Sequence, residues 1–126
     1  MTVINLFRIG GSCYFKHYFG SRELFDEFRA YYDSLEYRFR VGEGELEDVI
    51  GKLRSYGFEV NLVEEDEISE YTVIIDKFKK HGDLLRNAVD VVELGDEKAL
   101  VMKDKVAVEE ALERGRKPDE EWLERL

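Results

Sequence analysis

The sequence is poor in residues that staple, bend or chelate: one cysteine (Cys13), one proline (Pro118), one tryptophan (Trp122), two histidines and no glutamine in 126 residues. A single thiol excludes an internal disulfide, and an odd cysteine suits a reducing compartment better than secretion, so a cytoplasmic location is expected. Two distant histidines and one cysteine exclude the ligand spacing of a zinc site. No stretch approaches the roughly 20 consecutive apolar residues of a membrane helix. The start, MTVINLFRIGG, lacks the basic segment and apolar run of a signal peptide, so no membrane partner is expected. There is no internal repeat and no linker rich in Pro, Gly or Ser. One domain over 1–126 is the expectation, with 77–126 as a C-terminal sub-lobe.

What is plentiful is charge. Charged residues make up 38% of the chain, 19 of them are glutamate, and the net charge is −10. With no glutamine, this balance matches the bias of heat-adapted proteins towards ion pairs. The charge is unevenly spread: residues 1–41 carry six Lys or Arg against five acids, 42–76 two against eleven, and 77–126 eleven against thirteen. An acidic total excludes a general duplex-DNA binder, which gains affinity by neutralising phosphates with a basic surface.

The best specified stretch is 36–64, EYRFRVGEGELEDVIGKLRSYGFEVNLVE. Tyr37, Phe39 and Val41 alternate with Arg38 and Arg40, which predicts a strand with an apolar face and a guanidinium face. Leu46, Val49, Ile50, Leu53 and Tyr56 recur at helical offsets behind Glu45, Glu47 and Asp48, acids suited to a helix N-terminus, which predicts a helix over 44–57. Gly57 sits where a left-handed C′ residue is wanted and Phe58 where the contact to Leu53 of a Schellman cap falls. Phe58, Val60 and Leu62 then alternate as a second strand.

Elsewhere the pattern predicts a hairpin of strands over 3–9 and 13–19 around Gly10-Gly11-Ser12, then an unusually aromatic helix over 21–35 capped by Ser21. The segment EEDEISE (64–70) reads as an acidic turn, followed by a strand over 71–75 and one broken helix near 77–89, where Phe78, His81, Leu85 and Ala88 recur at helical spacing. A hairpin of 91–94 and 99–102, a helix capped by Asp104 and a short final helix with Pro118 in its first turn complete the reading. The fold class is α+β: a two-layer sandwich with a mixed sheet of about five strands, two amphipathic helices on one face, and a C-terminal hairpin and helices.

The most suggestive chemistry lies on the second and third strands. Parity over 13–19 sets Tyr14, Lys16 and Tyr18 on the face opposite Phe15 and Phe19, so Tyr14, Lys16, Tyr18, Arg38 and Arg40 are expected on one sheet face. Rings interleaved with cations suit single-stranded RNA or nucleotides, because bases stack on rings while phosphates meet Lys and Arg. The plainer reading is a set of solvated or ion-paired sheet residues, or a face that the C-terminal segment covers. His17 shares parity with the core and reads as packing; His81, within the basic run Lys77 to His81, reads as a solvated face. The carboxylates Glu64, Glu65, Asp66, Glu67 and Glu70 lack calcium-loop spacing. Gly10-Gly11-Ser12-Cys13 lacks the lysine of a phosphate loop, so no cofactor is expected. Cys13 and His17 lie about 13 Å apart in an extended strand, too far for a nucleophile and its base.

The leading expectation is therefore a small non-enzymatic binding or protein-interaction module. Its contact surface is the open sheet face or the C-terminal helix with Trp122, and a second copy of itself is one partner. A single-stranded RNA or nucleotide-binding domain is the alternative. A small hydrolase-type enzyme, whose Glu, Asp and His groups converge only in three dimensions, is the third.

Overall fold

A glycine at the first central position of a two-residue turn allows the positive φ that closes a tight hairpin, and both long hairpins of this chain use it. In the computed structural model, which describes residues 2–126, β1 (Val3–Ile9) turns through Gly10-Gly11, with Gly10 at φ 63°, into β2 (Ser12–Phe15). The chain falls into two compact units, residues up to Glu65 and residues from Asp66 on.

In the first unit, α1 (Arg22–Phe28) continues as a 3-10 turn over Arg29–Tyr31 into β3 (Tyr32–Asp33) and β4 (Arg38–Gly42). A second 3-10 turn (Glu43–Glu45) leads into α2 (Leu46–Ser55) and then β5 (Glu59–Val63). The sheet order is β3-β4-β2-β1-β5, with β1 and β5 parallel and every other pair antiparallel. Strands β4 and β5 therefore run parallel with β2 and β1 between them. Both helices lie on one face, where Phe28, Leu46, Val49 and Leu53 meet Ile4, Leu6, Cys13, Phe15, Phe39 and Val41. Each large apolar side chain buried there contributes about 1.5–3 kcal/mol.

The α2 terminus carries the cap expected at Gly57 and Phe58. Phe58 N–H donates to Leu53 O (3.1 Å), Gly57 N–H donates to Arg54 O (3.0 Å), and Gly57 takes φ 90°. That is the Schellman pair of bonds.

Three expectations for this unit need correction. The second strand ends at Phe15 instead of Phe19. The aromatic helix stops at Phe28, because the Asp33 carboxylate accepts from Leu35 N–H (3.0 Å) and Glu36 N–H (3.4 Å) and so forms a turn, while Tyr32 pairs with Phe39 as a strand. Leu35, expected on the buried stripe, is 86% exposed. Tyr37, expected on the apolar face, sits in the same turn at φ 55°, exposed, one residue before β4 begins.

The second unit holds β6 (Thr72–Asp76), reached through a 3-10 stretch over Glu65–Tyr71, then α3 (Gly82–Leu85), β7 (Ala88–Leu94), β8 (Glu97–Met102), α4 (Lys105–Leu112) and α5 (Glu120–Arg125). Its sheet is antiparallel in the order β6-β8-β7. Gly95, at φ 60°, turns β7 into β8. Asp104 and Asp119 cap their helices, each carboxylate accepting from a backbone N–H three residues on, at 2.8 and 3.1 Å.

The broken helix expected near 77–89 is reduced to α3. The Asp76 carboxylate accepts from Phe78 N–H (2.9 Å), which turns the chain, and β7 has already begun at Ala88. Phe78, whose spacing helped to predict that helix, is 75% exposed. Trp122, offered as a contact surface, is 3% exposed: it packs with Ile74 and Ala99 and donates Nε1–H to Glu97 Oε1 (3.0 Å).

Candidate functional site: an aromatic cleft at the end of the second strand

Where β2 stops, Lys16–Gly20 runs without regular structure until Ser21, whose hydroxyl accepts from Leu24 N–H (3.3 Å) and starts α1. This link bends because Phe19 leaves the plane of the sheet to join the core. Its ring stacks on Phe28 (5.2 Å between centroids, 7° between planes) and meets Phe39 edge-on (5.6 Å, 80°). Phe39 in turn stacks on Phe15 (4.6 Å, 6°). His17 is half-buried and edge-on to Phe19 (5.0 Å) and Phe58 (5.2 Å). Phe25 meets Tyr32 edge-on (5.2 Å, 72°). Each such contact adds about 0.5–1.5 kcal/mol beyond area burial and fixes ring orientation.

These rings line an open cleft of about 390 Å³. His17, Tyr18, Phe19, Phe25 and Tyr32 supply aromatic walls, while Gly20, Ser21 and Arg22 supply a polar rim. Tyr18 is 88% exposed, and Arg22, also exposed, belongs to the same lining. A volume in this range suits one small ligand or one group of a larger one.

The five residues singled out on the sheet face divide between two places. Tyr14 stands directly opposite Arg40 across β2 and β4, and Arg38 is one pair along on the same face. The Arg38 guanidinium carbon lies 4.0 Å from the Tyr14 ring centre, and Arg40 Nε–H donates to Ser12 Oγ (3.3 Å). Tyr14 and Arg38 are half-buried and Arg40 is exposed, while Phe7, Ser12 and Val63 on that face are buried. Lys16 and Tyr18 lie beyond the strand end, so period-two parity does not carry to them. Tyr18 lines the cleft instead.

Sequence reasoning passed over Arg8. It shares parity with Ile4 and Leu6 on the helix-covered face, opposite Cys13. Its NH1 donates to both Glu64 oxygens (2.9 and 3.1 Å), and its Nε lies 2.9 Å from Glu43 Oε1, off the N–H direction, as an ionic contact. The arginine ties β1 to β5 and to the turn before α2. A hydrogen bond to Cys13, with both glutamates, raises the Arg8 pKa, while burial pushes the Cys13 thiol up. The detectable signal was a lone cation on apolar parity, which demands a partner.

Two further titratable groups have close partners in the second unit. His81 Nδ1 is 2.6 Å from Lys79 O and Nε2 is 3.1 Å from Lys98 Nζ, which assigns the proton to Nδ1. Asp83 accepts two bonds from Arg114, whose guanidinium pulls its pKa to about 2. Among the described residues no group of three or more His, Cys, Asp or Glu is placed to hold a metal ion. No described helix is long and apolar enough to cross a membrane. Compared with protein-family models, with curated proteins and with solved structures, the chain finds no match.

Proposed function

We propose that this protein is a non-enzymatic binding module whose first unit holds a planar aromatic group carrying an anion, the chemistry of a nucleotide, in the cleft between the 16–20 link, α1 and β3. The observation that carries this reading is that exposed Tyr18 and exposed Arg22 line one cleft together with His17, Phe19, Phe25 and Tyr32, rings held by edge-on contacts. An exposed aromatic surface costs solvation unless something covers it. A base stacked on tyrosine gains about 1–3 kcal/mol, and a guanidinium nearby favours the phosphate. The pre-set ring orientations reduce the ordering cost of binding. The chemistry at the cleft is stacking and charge, and the one thiol of the chain is buried away from it, its pKa raised by that burial against the opposing pull of Arg8.

A second reading extends the ligand to a single strand crossing the sheet face, favoured by Tyr14 and exposed Arg40 in one register position. Fluorescence anisotropy with labelled mononucleotides and short single strands, at low and moderate salt, tests both. The cleft reading expects mononucleotides to bind and longer strands to gain little. A strand that binds at least tenfold tighter than its mononucleotide favours the second reading, and no binding of either at low salt ends both.

A further inference from the structure

The two edges of the second sheet differ. The β6 edge is closed: Ile74 N–H donates to Arg116 O (2.8 Å) and Arg116 N–H donates to Ile74 O (3.0 Å). The opposite edge is β7, where Val91, Val92, Glu93 and Leu94 are all exposed. Leu94 stands opposite Glu97 across the two-residue turn Gly95-Asp96. In such a hairpin the closing pair exchanges both backbone bonds, and bonded and non-bonded pairs alternate from there. Val92 and Leu94 therefore bond inward to β8, while Val91 and Glu93 turn N–H and C=O outward. Exposed apolar edge strands are templates for strand addition.

We propose that the β7 edge is a self-association site, pairing antiparallel with the β7 edge of a second copy about a two-fold axis at Val92. Two-fold antiparallel pairing sets odd-numbered residues opposite odd-numbered ones, which is the outward-facing set on both copies. A register centred on Glu93 would stack two carboxylates, and one centred on Val91 would set Glu93 against buried Val89. Centring on Val92 avoids both and pairs Val91 with Glu93 of the second copy. Glu93 already carries a counter-charge, Lys77 Nζ at 3.0 Å, and faces Lys98 across the hairpin. On the other face, the apolar row of Trp122, Ile74, Ala99 and Val92 continues into the same row of the second copy. Three residues of edge per copy and a net charge of −10 make this a weak dimer, strengthened by salt.

The test is sedimentation of the whole chain from about 0.05 to 1 mM, in low and high salt, for the wild type and Val92→Lys. A dimer that grows with concentration and salt, and is lost in Val92→Lys with an unchanged circular dichroism spectrum, is the expected result. Register is read separately with single cysteines under mild oxidation. Val92→Cys places the two new thiols on a non-bonded pair about 4.5 Å apart at Cα, within disulfide reach, whereas Leu94→Cys leaves them some 14 Å apart. Buried Cys13 stays out of the reaction. Linking of Val92→Cys at least tenfold faster than Leu94→Cys supports the register, and equal rates overturn it. A wild type that stays monomeric throughout, or a Val92→Lys variant that dimerises like it, overturns the site and leaves the edge to a foreign strand. Should Val92→Lys misfold, the cysteine pair alone decides.

Discussion

The guanidinium carbon of Arg38 rests 4.0 Å from the centre of the Tyr14 ring. One ring face that a base would need is thus occupied by the protein itself, which moves the stacking surface from Tyr14 to Tyr18. Replacing Tyr14 by Leu keeps an apolar body and removes the cation–π contact. Chemical unfolding should show a loss of about 0.5–1 kcal/mol. Nucleotide affinity should stay within about twofold of wild type.

Gly115 is fixed by a close approach and not by its φ. A Cβ there would meet Ile74 O at 2.5 Å, on the backbone pair that closes the β6 edge. Backbone cannot rotate away as a side chain can, so Gly115→Ala should cost about 2–3 kcal/mol in urea unfolding. Gly51→Ala, where a Cβ meets nothing within 4 Å on an exposed helix position, should be neutral or stabilising.

The Cys13 thiol combines burial with a raised pKa. Labelling with a thiol reagent at pH 8 should be at least about a hundredfold slower in native protein than in denaturant. Arg8→Met, which removes the ties to Glu43 and Glu64, should speed native labelling by local opening at the end of β1.

Acid stability should respond to Asp83. Its pKa falls from 3.8 to about 2 through the hydrogen bonds from Arg114. A depressed carboxylate contributes stability that is complete above its unfolded value and is lost as pH drops towards the folded one. The pair should therefore hold at neutral pH and fail between about pH 4 and pH 2. The wild type should lose more stability across that window than Asp83→Asn, measured by urea midpoints at several pH values.

What the sequence revealed was local. The α2 terminus was legible because Gly57, Leu53 and Phe58 decide it within one turn, and the Asp104 cap because it acts over three residues; the last helix starts later than the first-turn place expected for Pro118, with Asp119 as its cap. The α+β class was legible because alternating and helical periods are both strong around 36–64. The membership of the sheets was not. The strand after the acidic run pairs with the C-terminal hairpin, and its place in the five-stranded sheet goes to Tyr32 and Asp33, two residues inside a helical pattern that the Asp33 turn interrupts. The cleft was half visible. Tyr18 was picked as a ring among cations, but its position depends on where β2 stops. That point is set by Phe19 packing on Phe28 and Phe39, residues distant in sequence.

The central claim is tested most directly by titrating isotope-labelled protein with mononucleotides while following backbone amide shifts, in the wild type and in Tyr18→Ala. The cleft account predicts saturable shifts concentrated at residues 16–25 and 32, and an affinity at least about fivefold weaker without the Tyr18 ring. Shifts confined to other parts of the chain, an unchanged affinity in Tyr18→Ala, or no shifts up to about 5 mM ligand would contradict it.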